Sequence, residues 1–174
     1  MNLKKFIWLL AFPIAFTSCE EDPIAGCMDE LALNYNADAV EALDCTFDAS
    51  TVLQDSNWLM ESVTGDFAGN EIDLLLLTAL IPVCTHDNLF IFHADNSVSM
   101  EDNLILCEDG EESVLDLSGT WTVDGSVLTI ENGTEVYVLT IDNLSPTSIN
   151  LLFNYYLADL DANIPATIVL VADL

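Results

Sequence analysis

The sequence has 174 residues, of which 52% are hydrophobic, and it carries 30 acidic residues against two basic ones. This hydrophobic content is too high for a disordered chain, so we expect a folded protein with an acidic surface. Nucleic acid is excluded as a partner, because almost nothing in the chain could neutralise phosphate. The length suits one ordinary domain with a small appendage.

The first residues are typical of an export signal. Lys4 and Lys5 form a positively charged start, and an apolar run follows over residues 6–16. That run is too short to span a bilayer, which needs about 20 residues. We therefore predict a signal peptide over residues 1–18, and the alternative is an ordinary secretory signal that is cleaved elsewhere.

The segment Phe16–Cys19 resembles a bacterial lipobox, in which the cysteine after the cleavage site receives a diacylglycerol thioether. Phe16 and Thr17 replace the usual leucine-alanine type residues. The resemblance implies that Cys19 carries lipid and that the protein is attached to a membrane. The acidic residues 20–22 resemble the tag that sends some lipoproteins to the outer face of the outer membrane, which implies a lipid-anchored protein that faces the cell surface.

The chain has five cysteines, and an odd number in an exported protein needs an explanation. The four that follow Cys19 are Cys27, Cys45, Cys84 and Cys107. If Cys19 carries lipid, these four are enough for two disulfides in an oxidising compartment.

Cleavage before Cys19 would also remove Lys4 and Lys5, which are the only basic residues. The mature chain of 156 residues would then contain all 30 acidic residues and no Lys or Arg, for a formal charge of −30. A surface of one charge sign repels itself, and dissolved ions screen that repulsion. We therefore predict a protein that salt or bound divalent cations stabilise.

Residues 19–26 form an acidic, proline-containing tether, and residues 27–47 form a distinct unit. The unit is too small for a core of its own, so we expect a Cys27–Cys45 disulfide to hold it together. In the chain-entropy model this disulfide would stabilise the unit by about 3 kcal/mol. The segment resembles a short Cys-bounded repeat of bacterial surface proteins, of the form GC-x-D-x-x-A-x-N-Y-N-x-x-A.

Several oxygen-bearing side chains lie close together in this unit: Asp29, Asn34, Asn36, Asp38 and Asp44. Ca²⁺ prefers such oxygen ligands, so these residues are candidate Ca²⁺ ligands. Their spacing is not that of an EF-hand loop, and the alternative is that they cap turns. We expect no other cofactor.

Residues 48–56 are interpreted as a linker, and the pattern from Asn57 onward is typical of β-strands. The strongest signals are Asp124-Gly125 and Asn132-Gly133, because such pairs tolerate positive φ in hairpin turns. The leucine-rich segment 71–83 suits a short helix or a covering lid. We predict strands at residues 58–63, 89–92, 97–100, 119–123, 127–130, 136–141, 148–156 and 166–171. Eight up-and-down strands avoid open edges most simply by closing into a barrel.

From Trp58 to its end, the chain resembles the small lipocalin-like domain common in bacterial lipoproteins. The residues that carry the likeness are Trp58, the leucine-rich stretch ending in Cys84, residues 87–96, Cys107, residues 118–121 and residues 128–130. The resemblance implies an all-β fold: a small eight-stranded up-and-down barrel over residues 57–174, preceded by the short disulfide-stapled appendage. It also implies a Cys84–Cys107 disulfide and a cup for a small apolar ligand, although the side chains of a small barrel can fill it.

Aromatic side chains on the predicted strands could line such a cavity: Trp58, Phe90, Phe92, Trp121, Tyr137, Phe153 and Tyr155. The alternative is that these residues form the packed core. Because an acidic protein repels anions, a bound ligand should be apolar or cationic.

Catalysis is not expected. The only histidines, His86 and His93, lie next to a strand start and a turn, and together with Asp87 they lack the spacing of a known metal site. We therefore expect a non-enzymatic monomer. Either its barrel presents a small hydrophobic molecule at the cell surface, or it is a structural or interaction module with an acidic, Ca²⁺-binding surface.

Overall fold

The structure is a computed structural model that describes residues 23–77, 81–108, 115–133, 135–157 and 162–173. The predicted signal peptide and Cys19 lie outside these segments. Within them, no helix is long and apolar enough to cross a membrane.

The described segments are mainly β-strands. The strands are β1 (Ala25–Gly26), β2 (Glu41–Ala42), β3 (Trp58–Phe67), β4 (Asn70–Asp73), β5 (Leu89–Phe92), β6 (Ser97–Glu101), β7 (Gly119–Asp124), β8 (Val127–Asn132), β9 (Glu135–Ser145), β10 (Ser148–Leu157) and β11 (Ala162–Ala172). A short helix, α1, spans Ala49–Asp55, and single 3₁₀ turns span Leu74–Leu76 and Val83–Thr85.

Eight of the strands close into an antiparallel barrel. Strands β5 to β11 pair in chain order, β3 pairs with β5, and β11 pairs with β3 to complete the ring. The predicted eight-stranded up-and-down barrel is therefore confirmed, with most strands longer than the sequence pattern indicated. Strand β4 is an addition to the prediction: it forms a hairpin with the end of β3 through a turn at Ala68 and Gly69, both at positive φ.

The core follows the alternation of side chains along the strands. Trp121 on β7, Leu139 on β9 and Leu151 on β10 are buried inside the barrel. Gly119 lies where β7 comes very close to β8, because a Cβ there would lie 2.1 Å from the carbonyl oxygen of Glu131. A glycine at the start of β7 is thus a packing requirement as well as a conformational one, since its φ is +139°.

Residues 48–56, interpreted from sequence as a linker, instead contain helix α1. Asp48 caps the helix by accepting a hydrogen bond from the backbone N–H of Thr51 at 2.9 Å. Val52 and Leu53 are fully buried in the core cluster of the barrel. The hydrophobic pattern does not predict this helix, because its seven residues bury only two large apolar side chains.

Residues 71–83, predicted as a helix or lid, begin as strand β4 and continue as the 3₁₀ turn Leu74–Leu76. Asp73 caps this turn by accepting from the N–H of Leu75. Leu74 is buried in the core and Leu76 is exposed, so the leucine run is split between the core and the surface.

Both disulfides have the predicted partners. Cys27 is bonded to Cys45 in the N-terminal unit, and Cys84 is bonded to Cys107 across the loops on either side of β5 and β6. In the N-terminal unit, β1 and β2 form a two-residue parallel pair. Phe47, at the end of this unit, packs against the barrel core.

Candidate functional site

The candidate ligand-binding aromatics divide into two groups. Trp58, Phe90, Phe92 and Trp121 are all buried in the core cluster. The indole N–H of Trp58 donates to the carbonyl oxygen of Leu53 at 2.9 Å, so helix α1 satisfies it. These four side chains are packed core, which is the alternative considered from the sequence.

Trp121 shows how tightly this group is packed. Its indole N–H donates to the carbonyl oxygen of Ser97 at 3.1 Å. Its ring meets Phe92 edge to face, with centroids 5.5 Å apart and planes at 89°, a favourable arrangement of aromatic quadrupoles. Because the polar atom and the ring are both engaged by the protein, Trp121 is positioned to hold strands together.

Tyr137, Phe153 and Tyr155 form the second group, which is only half-buried. Tyr137 lies on β9, and Phe153 and Tyr155 lie on β10. All three pack against the barrel core, and the rings of Phe153 and Tyr155 are 6.5 Å apart at 68°. We call these three residues the aromatic cluster.

Strands β9 and β10 of the barrel stop pairing with each other beside the aromatic cluster. The paired register of β9 and β10 runs from Ser145 opposite Ser148 to Thr140 opposite Leu152 and ends there, although β9 extends back to Glu135 and β10 continues to Leu157. Beyond that point β9 stays paired with β8, and β10 with β11. The aromatic cluster therefore occupies strand segments that no longer pair with each other.

The two tyrosines of the cluster keep their protons more firmly than usual. Burial raises the pKa of Tyr137, and a hydrogen bond of 2.6 Å from its hydroxyl to the Glu135 carboxylate raises it further. The pKa of Tyr155 is also raised, first by burial and then by the negative charge of Glu135. The cluster thus offers apolar rings and neutral hydroxyls, which suit an apolar or hydrogen-bonding ligand.

A cleft of about 670 Å³ lies next to the aromatic cluster. Most of its lining side chains, such as Val138 and Leu152, alternate along their strands with buried ones, so we call it the outer cleft. It is lined by Thr64, Gly65, Asp66, Glu71, Val136, Val138, Thr140, Leu152, Phe153, Asn154, Pro165, Ala166 and Thr167. Only Phe153 among the predicted ligand-binding residues lies in this lining. Sequence reasoning missed the cleft, because it depends on the course of five strands and leaves no local pattern.

The candidate Ca²⁺ ligands lie in the N-terminal unit, where several of them stabilise turns. The Asn34 side chain donates to the carbonyl oxygen of Asp44 and accepts from the N–H of Thr46. Asp29 accepts from the N–H of Leu31, and the Asn36 side chain accepts from the N–H of Asp38. These bonds fit the turn-capping alternative.

Metal binding has no further support in the described part of the chain, which contains no group of three or more His, Cys, Asp or Glu side chains that could hold an ion. The two histidines make separate contacts. His86 Nε2 lies 3.2 Å from the carbonyl oxygen of Ile81, and His93 Nε2 lies 3.1 Å from the hydroxyl of Ser99. Each therefore has a local structural partner.

Comparison with known proteins assigns no family. No family model matches this chain, and no curated protein matches it significantly. Function has to be inferred from the barrel, its aromatic cluster and the sequence.

Proposed function

We propose that this protein is an exported lipoprotein, held at the outer membrane through Cys19, whose barrel binds a small apolar ligand at the aromatic cluster. The closed eight-stranded barrel is the architecture on which the proposal stands. Barrels of this size are either filled by their own side chains or hold one small ligand.

The separation of β9 from β10 beside the aromatic cluster carries the ligand part of the proposal. Elsewhere in the barrel, large aromatic side chains such as Trp58 and Phe90 are fully buried. Tyr137, Phe153 and Tyr155 combine an inward position with partial exposure. A small molecule could cover these rings without displacing the packed core.

The chemistry of the cluster limits the ligand. Neutral phenol hydroxyls can donate or accept one hydrogen bond each, and the Tyr137 hydroxyl already donates to Glu135. The mature chain would contain no Lys or Arg to bind an anion. The proposed ligand is therefore an uncharged, mainly apolar molecule with at most a few hydrogen-bonding groups.

Cysteine pairing supports the anchor. Cys27 with Cys45 and Cys84 with Cys107 account for four of the five cysteines. Cys19 is the remaining one, and it stands where the lipobox resemblance places the lipid. An extra thiol in an exported protein is thereby explained without an intermolecular disulfide.

Native mass spectrometry of the protein purified from its own host tests both parts. We expect a diacylglyceryl modification on Cys19 and a co-purifying neutral molecule that lipid extraction removes. An unmodified Cys19 would refute the anchor. A barrel that carries no small molecule in any preparation would favour the alternative, a structural or interaction module with an acidic surface.

A pair of variants tests the ligand position. Tyr155→Ala should weaken binding of the extracted molecule about tenfold, which corresponds to roughly 1.4 kcal/mol. Tyr156→Ala is the matched control, because the neighbouring side chain is exposed on the outer side of the same strand. Near-UV circular dichroism would confirm that both variants fold, and equal affinities in the two would exclude the aromatic cluster as the site.

A further inference from the structure

The outer cleft has an exposed apolar side. Val136 and Val138 on β9 are 60% and 58% exposed, and Leu152 on β10 is 37% exposed. Pro165 on β11 extends this lining. Apolar side chains that are grouped in a concave surface commonly mark a place where another molecule binds.

The opposite side of the cleft is acidic. Asp66 on β3 and Glu71 on β4 are direct cross-strand partners, and both line the cleft. Like charges directly opposite each other destabilise a hairpin. Asp66 uses one carboxylate oxygen to accept from the N–H of Gly69 at 2.8 Å, which fixes the turn. If the chain is cleaved before Cys19, no Lys or Arg remains to pair with these two carboxylates, because the only basic residues, Lys4 and Lys5, precede Cys19.

From this juxtaposition we propose that the outer cleft binds a small organic cation with an apolar body. The body would cover Val138 and Leu152, and its ammonium group would lie between Asp66 and Glu71. This site adjoins the aromatic cluster and shares Phe153 with it, but Asp66 and Glu71 belong to the cleft alone.

Size and charge both favour a small molecule as the occupant. The cleft volume of about 670 Å³ falls within the range of small-molecule sites, roughly 300–1,000 Å³. A second copy of the chain would bring the same negative surface and would be repelled. A cation relieves the repulsion between the paired carboxylates, and an apolar body covers the exposed valines.

A set of three probes separates the contributions of charge and apolar surface. The probes are 4-phenylbutylammonium, its uncharged analogue 4-phenylbutan-1-ol, and butylammonium, which lacks the ring. Titration of the ¹⁵N-labelled protein, followed by amide chemical shifts, should show saturable binding of 4-phenylbutylammonium centred on residues 136–140, 152–154 and 165–167. The other two probes should bind at least about fivefold more weakly, and 1 M NaCl should weaken the interaction.

The decisive variant is Asp66→Asn combined with Glu71→Gln. Asparagine can still accept the hydrogen bond from Gly69, so the turn is retained. We expect affinity for 4-phenylbutylammonium to fall about fivefold to tenfold, as loss of two exposed ion pairs would give. The matched control is Glu61→Gln combined with Asp124→Asn, which removes the same charge from exposed positions outside the cleft.

Each outcome of this comparison is informative. Selective loss in the Asp66 and Glu71 variant supports the proposal. Equal weakening in both variants would show general attraction to an acidic protein and would overturn it, as would shift changes outside the cleft or no saturable binding. Tyr155→Ala should leave this titration unchanged, so failure of the barrel-ligand proposal is distinguishable from failure of this one.

Discussion

Among single residues, Tyr137 links local chemistry most directly to stability. Its pKa is raised in the folded protein by burial and by Glu135, whereas an unfolded tyrosine titrates near its ordinary value of about 10. Above that pH the unfolded chain loses a proton that the folded protein keeps. Stability is therefore fully present below about pH 10 and falls as the pH rises further.

Tyr137→Phe should flatten this alkaline loss of stability. Each proton lost only by the unfolded state lowers the free energy of unfolding by about 1.4 kcal/mol per pH unit. Urea unfolding of wild type and variant between pH 8 and pH 11 measures the two slopes. Few other side chains titrate between pH 8 and pH 11, because the mature chain would have four tyrosines and no lysine.

The comparison should use the slopes, since the variant also loses the hydrogen bond to Glu135 and starts from a lower stability. Tyr35→Phe is a suitable control, because Tyr35 is exposed in the N-terminal unit. Parallel pH dependences in wild type and Tyr137→Phe would contradict the expected role of Tyr137.

Residue identity alone could not separate core from candidate site. Trp58 and Tyr155 are both aromatic residues on predicted strands, so the sequence made each of them a candidate for the cavity lining or for the packed core. Trp58 is then covered by helix α1, whereas Tyr155 lies where β9 and β10 separate. That difference depends on the distance between strands, which alternation does not encode.

At the scale of elements, the Cys84–Cys107 disulfide connects the loops that flank β5 and β6. Asp87 reinforces the same connection by accepting hydrogen bonds from the backbone N–H groups of Leu104 and Ile105, at 2.8 and 3.1 Å. The disulfide closes a separation of 23 residues, compared with 18 for Cys27–Cys45. The two bridges therefore constrain loops of similar length in different parts of the molecule.

Replacing both Cys84 and Cys107 by Ala should lower the stability of the barrel by about 3 kcal/mol. Replacing both Cys27 and Cys45 should have a much smaller effect on the barrel. Tryptophan fluorescence during urea unfolding is the appropriate measurement, because Trp58 and Trp121 are both in the barrel core and Trp8 lies in the predicted signal peptide. If the two double variants shifted the urea unfolding transition equally, the N-terminal unit and the barrel would have to unfold as one energetic unit.

The sequence predicted the barrel strands well, because alternation and the Asp124-Gly125 and Asn132-Gly133 turns are local signals. Helix α1 and strand β4 were missed for a shared reason. Each is too short to show a period, and each is stabilised by contacts with β3 or the barrel interior. The end of pairing between β9 and β10 could not be predicted either, because it depends on the register of the two strands, which shifts near Asn150.

For the whole molecule, the dominant property is charge of a single sign. If the chain is cleaved before Cys19, it keeps all 30 acidic residues and no Lys or Arg, and it cannot relieve its repulsion through Lys or Arg ion pairs. The Debye length falls from about 10 Å at 0.1 M salt to about 3 Å at 1 M, so added salt should screen most of this repulsion.

We expect the melting temperature to rise by several degrees between 0.1 M and 1 M NaCl, since about 1 kcal/mol shifts a domain of this size by roughly 2–4 °C. Thermal unfolding followed by tryptophan fluorescence measures the effect. CaCl₂ at matched ionic strength is the informative comparison, because an additional rise would indicate bound Ca²⁺. A melting temperature insensitive to both salts would contradict the prediction.

Closure of the barrel through β3 and β11 also has a consequence for the order of folding. Residues 68–161 separate these two strands along the chain, yet they pair over seven residue positions. During synthesis from the N-terminus, β3 is made early, and its partner β11 becomes available only when almost the entire remaining domain has been synthesised. Long-range pairing of this kind slows folding, so we expect the nascent protein to remain an unclosed sheet until β11 has been made.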